Sequence, residues 1–308
     1  MSDQSPKTRV LSPQVRGALW MIGSASAFSM MTALIRPAAA EMHPFEIVFF
    51  RNALGLVFLS PLIFRSGIRV LRTARLPLHL LRATCFLAAM LCWFSAIPHI
   101  ALVDAVTLNF TAPIFVTIIA AVILRERVRI RRWTAIIVGF AGALVVLRPG
   151  FQDVSTASIL VLGDALIWSV SAAIIRILAR TDSMTTIVAH MFIWVTPLSL
   201  IPALFVWQDP SWTAMAWLLG LAAASTVGHV AVTRAFTLAE ISLLMPFDYT
   251  RLIFATTVGF FVFGEVPDLW TFVGAAIIVA AALYIAHREA QIARAARAAS
   301  TAPAGAAE

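Results

Sequence analysis

The chain has 308 residues, of which 61% are hydrophobic and 12% charged, with a mean hydropathy of +0.91 and a formal net charge of +8. That balance excludes a soluble globular domain and fits a polytopic membrane protein. The positive charge is almost all arginine, Lys7 being the only lysine, and the arginines flank apolar runs, so they mark topology rather than a nucleic-acid surface.

Met1 to Val15 is polar and proline-containing and is expected to be a disordered cytoplasmic tail (residues 1–15). A first helix is expected from about Gly17 to Ala39. Small residues at Ala38 and Ala40 resemble a signal-peptidase site, but the apolar stretch is too long for a signal-peptide core. Further apolar runs follow at about 44–64, 78–97, 101–124, 133–147, 157–178, 185–206, 212–235, 241–264 and 268–286, each near the roughly 20 residues that a span requires. The expected fold class is therefore an all-α integral membrane protein with ten transmembrane helices. Residues 288–308 are rich in alanine and arginine and read as a helical cytoplasmic tail.

The connections predict the orientation. Arg65, Arg69, Arg72, Arg75, Arg125 to Arg132, Arg180, Arg288, Arg294 and Arg297 fall on one side, whereas Glu41, Asp153, Asp209, Glu265 and Asp268 fall on the other with Arg148 and Arg36 as basic exceptions. Basic loops stay cytoplasmic, so both termini are expected inside. Cys85 and Cys92 are seven apart on one helix, roughly 10 Å along its axis, which is too far for a disulfide. The histidines show no metal-ligand spacing, and no phosphate-binding glycine motif is present, so no metal, cofactor or nucleotide hydrolysis is expected.

The chain also repeats itself. Setting Glu126 against Glu265 aligns Ile114-Phe115 with Ile253-Phe254, Thr111 and Thr117 with Thr250 and Thr256, and Phe110 with Tyr249. One residue of slippage earlier, Phe28-Ser29 and Arg36 match Trp168-Ser169 and Arg176. A shared register with charged anchors is the mark of an internal repeat. Five helices per half is an odd number, so the halves (16–148 and 156–287) are expected to insert inverted with respect to each other, the architecture of secondary transporters.

Three stretches carry a family likeness: FFRN (Phe49 to Asn52), ILRERV (Ile123 to Val128), and PFDYTRLIFATTVGFFVFGEVPDLWTFVGAAIIVAAALYI in the last two helices. On these the chain resembles the EamA group of the drug/metabolite transporter superfamily, over about residues 17 to 287. The resemblance implies two inverted five-helix repeats around a central cavity lined chiefly by helices 1, 3, 4, 6, 8 and 9. It also implies transport of small organic metabolites, in a group with permeases for riboflavin, S-adenosylmethionine and amino acids. The chain departs from its own symmetry at two places, where Arg51 meets Met191 and Asp248 meets Asn109.

Charge inside the membrane marks the candidate site. Arg51, Asn109, Asp164 and Asp248 each lie roughly 10 to 13 Å from a helix end, and Arg251 lies close to the centre. Asp248 and Arg251 are three apart on one face and can neutralise each other, so the competing reading is a set of structural ion pairs. Arg51 needs a partner from another helix or from a substrate, and Asp248 is the expected one. Phe110, Tyr249, Trp93 and Trp168 are candidates for an aromatic wall, and Arg36 and Arg176 are read as interfacial anchors. Pro113 and Pro197 are expected to kink helices 4 and 7, and Ala135, Gly139 and Ala143 form a small-residue stripe for close helix packing.

The expected function is a bacterial inner-membrane permease moving a small organic metabolite by alternating access, with proton or counter-substrate coupling, as a monomer or homodimer among membrane lipids. It is not read as an enzyme. The alternatives are a passive channel, or a membrane enzyme acting on lipid-like substrates, which would need acids or histidines clustered at one interface.

Overall fold

A computed structural model describes residues 13–67, 71–112, 114–115, 118–119, 130–148, 154–178, 181–238 and 247–301. Pro113, the loop around Glu126, Asp153, Arg180, Pro246 and the outermost tails therefore lie outside the described residues, as does the side chain of Arg176.

Apolar length decides the elements. Among the described residues there are ten α-helices and no strands: α1 Pro13–Ala39, α2 Pro44–Ser66, α3 Leu76–Ala96, α4 Leu102–Asn109, α5 Ile130–Leu147, α6 Thr156–Leu178, α7 Met184–Leu204, α8 Trp212–Leu238, α9 Thr250–Phe263 and α10 Leu269–Thr301. Six of them, α1 to α3 and α6 to α8, are long and apolar enough to cross a membrane, and α5, α9 and α10 contribute shorter apolar segments. Boundaries follow the local chemistry. His43 caps α2 by accepting from the Phe45 amide while Glu46 reaches back to the His43 amide, and Ser183 caps α7 by accepting from the Thr186 amide. Gly264, at φ +67°, ends α9 in the left-handed conformation that favours glycine.

Two expectations change. Helix 1 starts at Pro13 rather than Gly17, and α10 runs through the arginine-rich segment to Thr301 as one helix. More consequential is helix 4, expected as one span over 101–124. It stops at Asn109, Phe110 and Thr111 form a turn, and helical residues resume at Ala112. The sequence offers a cause: Pro113 has no N–H for the Asn109 carbonyl. The last amides tighten towards carbonyls three residues back: Phe110 shares its N–H between Val106 and Thr107, and Thr111 donates to Leu108. Helix 9 is interrupted at the matching place, with Phe247 and Asp248 helical, a turn at Tyr249, and α9 beginning at Thr250.

The packing follows the repeat. Pairing each helix with the one five places later exchanges α1 with α6, α2 with α7, and so on. The α1–α8 contact then corresponds to α3–α6, α1–α9 to α4–α6, and α2–α8 to α3–α7, while α2–α7, α4–α9 and α5–α10 map onto themselves. Connections also sort to two ends. Glu41, Gln208 and Ser211 meet at one end, where Glu46 accepts from the Gln208 amide (2.6 Å) and Glu41 from the Ser211 hydroxyl. At the other, Thr73 Oγ1 donates to Asp182 (2.7 Å).

The α5–α10 contact rests on glycine, at Gly142 and Gly274 beside the expected Gly139. A Cβ on Gly274 would lie 2.4 Å from Val146 Cγ2 and 2.8 Å from the Gly142 carbonyl oxygen, a backbone atom that no side-chain rotation moves. Gly23, exposed on α1, has open space around it. Gly274→Ala is therefore expected to cost about 1–3 kcal/mol by overpacking, while Gly23→Ala stabilises by up to about 1 kcal/mol through helix propensity. Melting of the two variants in detergent checks the opposite signs.

Candidate functional site

The two interruptions face each other. Phe110 and Tyr249 stand edge to face with ring centroids 4.9 Å apart, and α6 closes the arrangement through Ser169, whose hydroxyl donates to the Ala112 carbonyl (3.0 Å). An interrupted helix exposes backbone polar groups that lipid cannot satisfy, so it belongs where protein or water surrounds it. Both polar residues flanking the turns, Asn109 and Asp248, lie here.

Asn109 organises the charges. Its side-chain amide donates to Asp164 Oδ2 (2.7 Å), and its oxygen accepts from Arg251 Nη2 (3.1 Å). The Arg251 nitrogen lies 3.9 Å from Asp248 Oδ2, at the outer limit of an ion pair, and its guanidinium sits 5.4 Å from the Phe110 ring centroid. The result is a chain Asp164–Asn109–Arg251–Asp248 linking α6, α4 and α9. Asp164 is buried at 8% exposure, while the Arg251 and Asp248 side chains keep 20% and 29% accessible. Ser29 on α1 donates to the Arg251 carbonyl (3.2 Å), tying the first helix to the same point.

Arg51 does not join this group, and the expected Arg51–Asp248 pairing is not what the structure shows. Burial on α2 turns its guanidinium towards α3 and α8 instead: Nη1 donates to Asn52 Oδ1 (3.0 Å) and Met90 Sδ (3.4 Å), and Nη2 to His229 Nε2 (3.1 Å). Since arginine only donates, His229 presents an unprotonated Nε2. Phe28 and Phe192 stand edge-on to the His229 ring at 5.1 and 5.9 Å. Sequence reasoning missed His229; its signal was a histidine in the middle of the apolar run 212–238.

The remaining expected residues divide. Phe110 is buried and belongs to the site, whereas Trp93 lies in the general core. Trp168 is 40% exposed on α6. Arg36 is no free interfacial anchor either. It forms an ion pair with Glu265 and donates to the carbonyls of Ile97 (3.1 Å) and Ile100, while Glu265 also accepts from the Leu102 amide (2.9 Å). This knot lines a cleft of about 560 Å³ with Ala39, Pro98 and His99. No group of three or more metal-ligating side chains occurs among the described residues.

Two matches, over residues 15–148 and 155–286, are to the EamA-like transporter family. The chain belongs to this family. Among EamA relatives, it is 31% identical to the riboflavin transporter of Vibrio cholerae over 89% of this chain and 94% of that one. It is 26% identical to the S-adenosylmethionine uptake transporter of Rickettsia prowazekii (91% and 95%), and 30% to the pseudopaline exporter of Pseudomonas aeruginosa (88% and 96%). A solved crystal structure at 18% identity matches with a TM-score of 0.63, covering 89% of this chain and 99% of the other, which shows a shared fold. The relatives carry names of transporters, and an EamA chain with several apolar helices is a multi-pass membrane protein.

The end of this EamA transporter that holds the 179–183 connection is fastened by a second polar knot. His79 Nε2 donates to Asp182 Oδ2 (2.7 Å), Trp194 Nε1 donates to His190 Nδ1 (3.0 Å), and His190 Nε2 donates to the Leu71 carbonyl (3.0 Å). Partial burial opposes the charged form of Asp182, but the bonds from His79 and Thr73 outweigh it and hold the carboxyl below its usual range. A depressed carboxylate contributes stability that is complete above its unfolded pKa, about 3.9, and is lost as pH falls through the folded value. Asp182→Asn is therefore expected to lower the melting temperature at pH 7, with the difference from wild type shrinking below about pH 4. A pH series of melting curves reads this directly.

Proposed function

We propose that this EamA transporter is a secondary carrier of the bacterial inner membrane. It moves a small polar or heteroaromatic metabolite, of the class of riboflavin, S-adenosylmethionine or an amino acid, by alternating access between two inverted halves. The observation that carries this reading is the Asp164–Asn109–Arg251–Asp248 chain set between two interrupted helices. Secondary transporters place binding and coupling groups at such interruptions near the membrane midplane. The two-fold pattern of helix contacts supports the inverted halves. The whole-length relatives support the first two of these substrate classes.

The charges supply a coupling device. Asp164 and Asp248 share one cation, so with both ionised one negative charge is unmatched, and a proton or a cationic substrate group neutralises it. Phe110 and Tyr249 form the aromatic boundary of the same site, suited to a planar ring. In proteoliposomes, Asp248→Asn is expected to keep substrate exchange but lose accumulation driven by a pH gradient. A folded variant that accumulates like wild type would remove Asp248 from coupling and leave Asp164 as the acid to test. Loss of folded protein with a proportionate loss of exchange would identify a structural ion pair instead.

The basic loops place both termini in the cytoplasm. In a background lacking Cys85 and Cys92, single cysteines replacing Arg127 and Val266 are expected to react with a membrane-impermeant maleimide from opposite sides. Labelling of both from one side would refute the inverted arrangement.

A further inference from the structure

The arginines of this carrier are not all answered in the same way. Arg36 has Glu265, Arg148 has Asp268 at 2.6 Å, and Arg251 has Asp248 and, through Asn109, Asp164. Arg51 and Arg82 are more deeply buried, at 2% and 5% exposure, yet neither forms an ion pair among the described residues. Their partners are neutral and partly soft. Arg51 donates to an amide oxygen, an imidazole nitrogen and the Met90 sulfur; Arg82 donates to the Ile187 carbonyl (2.9 Å) and the Met191 sulfur (3.6 Å). The Nε of each has no hydrogen-bond partner among the described residues.

The two guanidiniums reach neighbouring residues of α7. Arg82 reaches Met191, Arg51 lies 5.9 Å from the ring centroid of the next residue, Phe192, and His229 is within electrostatic reach of both. Leaving a buried cation without a counter-charge is strongly unfavourable, and thioether sulfur is a weak acceptor that an oxyanion displaces readily. Guanidinium forks match the geometry of a carboxylate. Phe28 and Phe192, seated against Gly228 and Gly55, set apolar rings against His229.

We propose that Arg51 and Arg82, with His229 between them, form a buried subsite for a carboxylate of the transported metabolite. The proposal rests on the carrier reading and narrows it: carboxylate-bearing substrates are selected over neutral ones, riboflavin included. Binding brings the counter-charge that the described residues do not supply, so the loaded state is the electrically matched one.

Benzoate and benzamide share a ring and differ in charge, so they serve as probes. In thermal-shift titrations of the detergent-solubilised full chain at constant ionic strength, benzoate is expected to raise the melting temperature and benzamide to leave it unchanged. Arg51→Gln and Arg82→Gln are each expected to weaken the benzoate response about tenfold or more. An equal response of wild type to both probes overturns the proposal, as does an undiminished benzoate response in the glutamine variants. Should those variants fail to fold, the wild-type comparison decides alone. Exchange of neutral riboflavin by a protein indifferent to benzoate would remove the subsite and keep the carrier; a benzoate-specific shift in a protein that exchanges no metabolite would do the reverse.

Discussion

A charge in the apolar interior of a helix bundle must be answered by another group, because water is not there to do it. In this chain much of the answer comes from a distant part of the sequence. Arg36 is answered by Glu265, Arg148 by Asp268, and Arg251 by Asn109 as well as by its neighbour Asp248. Each such contact fixes the relative position of two helices more tightly than apolar packing does. Leucine and valine faces tolerate sliding, whereas a guanidinium held by two carbonyls and a carboxylate does not.

The same constraint accounts for the broken helices. Pro113 stops α4 at Asn109, and the turn that results frees polar backbone at membrane depth. Such backbone is tolerated because the opposite repeat places its own interruption against it, with Phe110 and Tyr249 covering the junction and Ser169 binding the Ala112 carbonyl. A defect in one helix alone would be costly. Two facing defects make a polar junction that both halves share.

Much of the fold was legible in the sequence because span length and loop charge are local properties. Apart from the interrupted helices 4 and 9, the helices fall close to the expected ranges, and the offset that pairs Phe110 with Tyr249 is also the one that brings their rings together. Legibility failed where an outcome depended on rotation about a helix axis. Arg51 was expected to meet Asp248, but α2 turns its face towards His229, and nothing in the spacing of either residue records that choice. Trp168 and Trp93 look alike as aromatic residues in apolar runs, yet one is exposed and one packs in the core. The role of Asn109 as a bridge between an acid and a base was equally invisible, since an amide has a donor and an acceptor and only tertiary geometry says which neighbour each will find.

The scaffold is two-fold in its contacts, but its chemistry is not. At the positions related by the repeat, Arg51 stands opposite Met191 and Asn109 opposite Asp248. The central groups therefore sort into a relay with one acid too many and a pair of cations with none. Under the carrier reading, each imbalance is corrected by something that arrives from outside, a proton at the first and an anionic substrate group at the second. Moving one half against the other carries these groups through the driest state of the cycle, in which unmatched charge costs most. A carrier built this way reorients most easily when both imbalances are filled, and that condition, set by electrostatics, is what couples one flux to the other.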